Sequence, residues 1–383
     1  MIKLLTAYTE EVDDVEDGIA ELLGQINLGN LKKNSVGLVT CHSDFTNSSF
    51  IGELCKKLPF DIIGMTTIAS ANLHGQGMFS LSLSVLTSDD IVFETAMAKS
   101  LDPANCHEKI KAVYSDAEKK LPGPPEMILT FFPFINDLSG TQLHKHFDEI
   151  CGGIPFWGSL ASSPDVQTGH WFVFRNGDID STGLAMILLY GKVDPEFIVV
   201  SMPSENIRKT RGRITDSDGC CLRTVDGIPA LKYLDNLGIS IQRDVPIVMP
   251  LMVYYEGSAE PVALGIYAVN DDNSLMCGGE MPVGATIAIG EITVEGTLAS
   301  TAECLERVRK TGKHSGALFL PCITRYIMLT PIHDREISLV VEKMEKGMPF
   351  SIAYSGGEIC PVKDRIGELQ NRFHNFTFIA CVF

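Results

Sequence analysis

The chain has 383 residues, more than one average domain holds and comfortable for two. Hydrophobic residues make up 45% and charged residues 21%, a globular balance that excludes disorder and fibrous repeats. A formal charge of −17 repels nucleic-acid phosphates and anionic lipid surfaces, which argues against both as partners.

The predicted elements begin with a strand over residues 3–8 and a helix whose stripe is Val12, Val15, Ile19, Leu22, Leu23 and Ile26. A short apolar run follows at residues 36–41, then a helical face of Phe50, Ile51, Leu54, Cys55 and Leu58. The run at 62–65 ends at Thr66 and Thr67, completing a strand–helix–strand unit. No charged residue occurs between Ile62 and Ser88, yet Ser80, Ser82 and Ser84 alternate with Phe79, Leu81, Leu83 and Val85. That alternation predicts a strand with one polar face rather than a membrane span.

The unit returns at residues 127–132, continues through a helix bearing Leu143, Phe147 and Ile150, and reaches Pro155-Phe156-Trp157-Gly158-Ser159, where Gly158 matches Gly64. Strands at 78–86 and 91–96 follow the first copy; strands at 171–174 and 184–190 follow the second. A third copy runs from residues 317–320, through a helix bearing Ile337, Val340, Val341 and Met344, to 350–354 and a last strand at 376–383. The expected fold class is therefore α/β with mixed sheets, built from duplicated strand–helix–strand layers in two domains. The first domain spans 1–200, with halves of about 1–98 and 99–200, and the second spans 214–383. Residues 201–213 join them. Their basic cluster of Arg208, Lys209, Arg211 and Arg213 is read as a solvated connector. In the second domain, Asn270-Asp271-Asp272-Asn273-Ser274 predicts a hairpin between the runs around Ile266 and Met276.

On these residues the chain resembles the FIST family, with an N-terminal module in the first half and a C-terminal module in the second. The segments that carry the resemblance are Ile63-Gly64-Met65-Thr66-Thr67, Pro155 to Ala161, Trp171 to Gly177, and Val225-Asp226-Gly227-Ile228-Pro229-Ala230. Cys322-Ile323-Thr324-Arg325, Pro349-Phe350, Gly357-Glu358-Ile359 and Asn375-Phe376-Thr377 close the pattern in order. Trp157 stands where the family often has a second glycine. The resemblance implies a stand-alone sensor that binds a small molecule, with amino acids proposed for the family, and signals to a separate partner protein.

A small zwitterion needs donors for its carboxylate and an acceptor for its ammonium group. Arg325 and Glu358 are the candidates for these roles, with Gly356 and Gly357 giving close backbone approach. Thr66, Thr67 and Ser159 occupy equivalent strand ends, where α/β sheets commonly bind ligands; with Trp157 they complete the expected ligand site. The surface-turn reading of Glu358 and the turn-capping reading of the three hydroxyls stay open beside it.

Catalysis is not expected. Cys41 and His42, with Asp44, resemble a nucleophile and base, but adjacent strand residues face opposite ways. An enzyme using the Cys41 region or the Arg325 and Glu358 pair is the first alternative. The second is a haem-based gas sensor using His74, His170, His314 or His333; otherwise no cofactor or metal is expected. Asp216-x-Asp218-Gly219 lacks the later ligands of a calcium loop, and Gly75-Gln76-Gly77 and Thr311 to Ser315 lack the glycines of nucleotide-binding loops. The eleven cysteines form no Cys-x-x-Cys pair, and the opening residues soon become acidic, so a cytoplasmic location is expected.

Overall fold

The structure, a computed structural model, describes residues 1–135, 138–163, 170–243, 247, 249–258 and 260–383. Three units of the same order make up most of it. The first contains β1 (Lys3–Thr9), a helix Val15–Gln25, β2 (Asn34–Cys41), the helices Ser43–Asn47 and Phe50–Lys57, and β3 (Ile62–Thr66). A hairpin of β4 (Ser70–Asn72) and β5 (Gly75–Gly77) and the strand β6 (Leu81–Ser88) complete it. The second contains β7 (Val92–Ala98), a helix Cys106–Glu118, β8 (Met127–Phe132), a helix Gly140–Cys151 and β9 (Phe156–Leu160). The hairpin β10 (Val173–Arg175) and β11 (Asp178–Asp180) and then β12 (Leu184–Tyr190) close it.

The third unit opens with β13 (Glu196–Val200) and is then interrupted. The insertion holds β14 (Gly212–Asp218), β15 (Cys221–Val225), β16 (Ile228–Pro229), a helix Ala230–Asn236, β17 (Pro250–Tyr254), β18 (Val262–Val269), β19 (Leu275–Cys277) and β20 (Thr286–Ile289). These strands form a seven-stranded sheet of their own. The unit resumes with a helix Val294–Lys310, β21 (Ala317–Pro321), the helices Ile323–Met328 and Asp334–Lys343, and β22 (Phe350–Ala353). The hairpin β23 (Glu358–Lys363) and β24 (Leu369–His374) and the strand β25 (Phe378–Val382) end it.

Each unit builds a six-stranded sheet by the same rule. The orders are β1-β6-β2-β3-β10-β11, β7-β12-β8-β9-β23-β24 and β13-β25-β21-β22-β4-β5. The parallel pair sits in the middle each time, and the last two strands belong to another unit. The first unit lends its hairpin to the third sheet, the second lends to the first, and the third lends to the second. This cyclic exchange locks residues 3–200 and 294–382 into one ring, so sheet membership runs across the 201–213 segment. It also makes β7 the opening strand of the second unit, because β7 pairs with β12.

Close strand packing explains the matched glycines. Phe174 of the borrowed β10 lies opposite Gly64, and a Cβ there would stand 2.2 Å from its ring. At Gly158 a Cβ would stand 1.7 Å from the Thr130 carbonyl oxygen. Helices cover the outer face of each sheet, while the inner faces meet in a shared core of Leu38, Met65, Leu129, Phe131, Trp157, Leu318 and Ile379. Strands buried on both faces require the uninterrupted apolar runs seen in the sequence. The polar face of β6 differs from the usual solvated one. Ser80, Ser82 and Ser84 are buried and turn inward, where Ser80 meets Ser70 Oγ at 3.0 Å and Ser82 accepts from Asn72 Nδ2 at 2.8 Å. The predicted hairpin at Asn270 is present, closed by Asn270 N to Ser274 O at 2.9 Å. Among the described residues, no helix is long and apolar enough to cross a membrane.

Candidate functional site

The carboxyl ends of the three parallel pairs converge through equivalent backbone bonds. Thr67 N donates to Cys41 O, Ala161 N to Phe132 O and Ser355 N to Pro321 O, at 2.8, 2.8 and 2.9 Å. The ends also bond one another: Ser162 N to Thr66 O at 2.9 Å and Gly356 N to Leu160 O at 2.8 Å. Thr67 Oγ1 and Ser162 Oγ both donate to Tyr354 O at 2.8 Å. Thr66 Oγ1 accepts from Phe172 N at 3.0 Å, and Ser159 Oγ faces the Met65 sulfur at 3.2 Å. These hydroxyls are buried and engaged in joining the units.

Arg325 is engaged as well. Its Nε and Nη2 donate to Glu336 Oε1 at 3.0 and 2.7 Å, and Nη2 also reaches Thr297 O, Ser300 Oγ and Thr301 Oγ1. Nη1 faces the Ser201 and Phe376 carbonyls at 3.3 and 3.5 Å. Tyr354 Oη donates to the other Glu336 oxygen at 2.9 Å. Arg325 is 2% exposed and Glu336 0% exposed, so this is an internal ion pair with its donors spent. The expected carboxylate clamp is therefore a brace between the helices Val294–Lys310, Ile323–Met328 and Asp334–Lys343.

Glu358 has a different setting. It opens β23 opposite Ser159 of β9, fully buried. Oε1 accepts from Ser355 Oγ at 2.5 Å, and Oε2 accepts from Thr377 Oγ1 at 2.7 Å and Thr377 N at 3.3 Å. Burial raises its pKa to about 7, while the hydroxyls of Ser355 and Thr377 hold it from rising further. Gly357 is required beside it, because a Cβ would stand 2.5 Å from the Phe373 ring. At Gly356 a Cβ would stand 2.7 Å from Ala161 O, so the pair serves close strand packing.

Around this carboxyl the inserted sheet meets the ring. Asn375 N donates to Ala263 O at 2.8 Å, and Gly265 N donates to Asn375 Oδ1 at 3.0 Å. Thr141 Oγ1 donates to Gly278 O at 3.1 Å. Asn375 is 2% exposed and its Nδ2 has no partner among the described residues. Next to it stands Tyr267 of β18, a residue 55% exposed whose hydroxyl is nonetheless shielded, with Cys322, Glu358 and Cys277 nearby. That shielding pushes the phenol above its ordinary range. Gly278 makes the approach feasible, since a Cβ would lie 2.2 Å from Asn375 Oδ1 and 2.9 Å from the Tyr267 oxygen. Thr324 Oγ1 donates to Cys322 Sγ at 3.0 Å at the start of the next helix. The junction therefore brings together an open aromatic face, an amide donor beside the Tyr267 hydroxyl and, buried behind them, a carboxyl whose pKa is raised to about 7.

Of the expected site residues, Ser159, Gly356, Gly357 and Glu358 come together here. Thr66 and Thr67 lie at the neighbouring strand ends, Arg325 bonds elsewhere, and Trp157 points into the shared core. Tyr267 and Asn375 were absent from the expected set. Asn375 sits in the closing Asn-Phe-Thr segment already tied to the family pattern, whereas no sequence signal marked Tyr267.

The alternative centres are less equipped. Cys41 is fully buried, which pushes its thiol up, and His42 Nδ1 faces Asp44 rather than the thiol. His74, His170 and His314 are exposed, and His333 is half-buried against Tyr326 at 4.6 Å. Among the described residues, no group of three or more His, Cys, Asp or Glu is placed to hold a metal ion.

Comparison with known proteins finds both modules of the resemblance. Residues 35–228 match the FIST N domain and residues 230–361 match the FIST C domain. No curated protein matches the chain. A crystal structure of a chorismatase aligns over 100% of this chain and 99% of its own at 7% identity, but its TM-score of 0.37 is too low to support any statement about activity. With its N and C domains together spanning most of the sequence, this chain belongs to the FIST family.

Proposed function

We propose that the protein is a sensor for a small polar metabolite, an amino acid being the leading class, held at the junction of Tyr267, Asn375 and Glu358. A separate partner protein reads its occupancy. FIST domains are generally considered sensory, ligand-binding signalling domains, which supports the class of function. The observation that carries the location is the buried Asn375 amide, which faces only the Tyr267 hydroxyl, beside an open Tyr267 ring and close to Glu358. An amide donor suits a ligand carbonyl or carboxylate, an aromatic face suits an apolar or cationic portion, and an ionised Glu358 suits an ammonium or hydroxyl group. The site lies where the inserted sheet meets the ring. A ligand touching both would favour one packing of the two over another, which is the physical route to a signal. We place the protein in the cytoplasm, a reading supported by eleven unpaired cysteines. No cofactor is needed for this role.

A second reading has one specific observation in its favour. A carboxyl with a pKa near 7 suits general acid–base chemistry, so the junction would also serve an enzyme. A thermal-shift screen of amino acids and central metabolites separates the two. At a hundred times its dissociation constant a ligand adds about 2.7 kcal/mol. At about 0.8 kcal/mol per degree for a chain of this length, that is roughly 3 °C. Such a shift without product formation supports sensing; turnover that Glu358→Gln abolishes would replace it with the enzyme. No shift from any compound would remove the metabolite proposal.

A further inference from the structure

At the centre of the ring the inner faces of the three sheets do not close completely. A cavity of about 20 Å³ remains, lined by Leu38 and Thr40 of β2, Ser84 of β6, Phe131 and Trp157 of the second sheet, and Leu320 and Ser351 of the third. Three polar atoms among these linings have no hydrogen-bond partner among the described residues: Thr40 Oγ1, Ser84 Oγ and Trp157 Nε1. Their residues are 7%, 2% and 2% exposed, so bulk water does not serve them. The register puts Leu38 opposite Ser84 and Thr40 opposite Ser82, making Thr40 and Ser84 diagonal neighbours on one face. Trp157 comes from the second sheet, where it sits opposite Leu129.

We propose that this cavity is a built hydration site, in which one permanently bound water joins the first and second sheets by bridging Thr40, Ser84 and Trp157. The chemistry narrows the occupant. Trp157 Nε1 only donates, so the occupant accepts there; the two hydroxyls each donate or accept, so it can donate to them. Among the described residues, no charged side chain lines the space, which disfavours an ion. About 20 Å³ exceeds the minimum for one water and is far below any metabolite, and two to four polar partners are what a buried water requires. An empty cavity would instead leave three buried groups desolvated without recompense, a combination native interiors rarely keep. The inward serines of β6 thus continue a polar seam that begins with Ser70 and Asn72 and ends on this water.

The sign of one substitution distinguishes a wet centre from a dry one. Thr40→Val keeps the shape of the side chain and removes its hydroxyl. With the water present, the change deletes a hydrogen bond and lowers the folding equilibrium constant about fivefold. In a dry cavity, the same change removes an unsatisfied group and leaves stability equal or raised. Trp157→Phe alone destabilises in either case through lost packing, so it is used only in combination. Thr40→Val with Trp157→Phe should cost less than the sum of the two, because both bond one water. Should Thr40→Val fail to fold, Ser84→Ala carries the same sign test. A high-resolution crystal structure of the unmodified protein gives the direct readout. Density within hydrogen-bond distance of all three atoms supports the proposal; a vacant cavity, or a more stable Thr40→Val or Ser84→Ala variant, overturns it.

Discussion

Replacing Arg325 with alanine should unfold the protein several degrees early, whether or not a ligand is present. The substitution leaves Glu336 fully buried with its guanidinium partner gone, and breaking a buried pair in this way costs about 3–5 kcal/mol. Unfolding entropy of about 2.1 cal/mol/K per residue gives roughly 0.8 kcal/mol per degree over 383 residues, so 4 kcal/mol lowers the melting temperature by about 5 °C. A control isolates the cause. Arg325→Met combined with Glu336→Leu removes both charges and should recover much of the loss, since well-packed apolar replacements of buried pairs are often neutral. Differential scanning calorimetry of the two variants is the assay. An Arg325→Ala protein that melts with the wild type, but no longer responds to a stabilising metabolite, would refute the brace and restore the arginine as a ligand clamp.

Glu358 gives a pH prediction. Its folded pKa of about 7 stands above the usual 4.5, so its contribution is fully present below the unfolded value and is lost as pH rises through 7. Glu358→Gln should therefore gain stability relative to wild type between pH 5 and pH 8, by about 3 kcal/mol if the full shift is expressed. Parallel melting curves across that range would mean that the carboxyl is not buried in this way. The glycines give a contrast. Gly158→Ala sets a Cβ against the Thr130 carbonyl and should abolish soluble protein, whereas Gly24→Ala, exposed in the helix Val15–Gln25 with open space around it, should stabilise by up to about 1 kcal/mol. Equal yields and melting temperatures for these two variants would contradict the strand packing at β8 and β9.

The repeated unit was legible because its signals are local. Gly64 and Gly158, the apolar runs of β2, β8 and β21, and the helical stripes each follow from spacing along a few residues. The exchange of hairpins left no such mark. β4, β10 and β23 pair with strands more than a hundred residues distant, and alternation alone does not state which sheet a strand joins. The insertion of residues 212–289 within the third unit was hidden for the same reason, because its own strands alternate as well as any others. Ser80, Ser82 and Ser84 announced a polar face but not that it would turn into a polar seam between sheets. At the site, Glu358 could be singled out from its glycines and family segment. Arg325 looked equally suitable, and only the fold revealed that Glu336, eleven residues on and one helix away, had taken its donors. Tyr267 enters from the inserted sheet, so no pattern near Glu358 or Asn375 could have named it.

The most direct test of the account is a crystal structure with whichever metabolite most stabilises the protein in solution. The account predicts ligand density between the Tyr267 ring and Asn375, with a ligand acceptor within hydrogen-bond distance of Asn375 Nδ2. Density for the ligand at another place, with Tyr267 and Asn375 untouched, would contradict it.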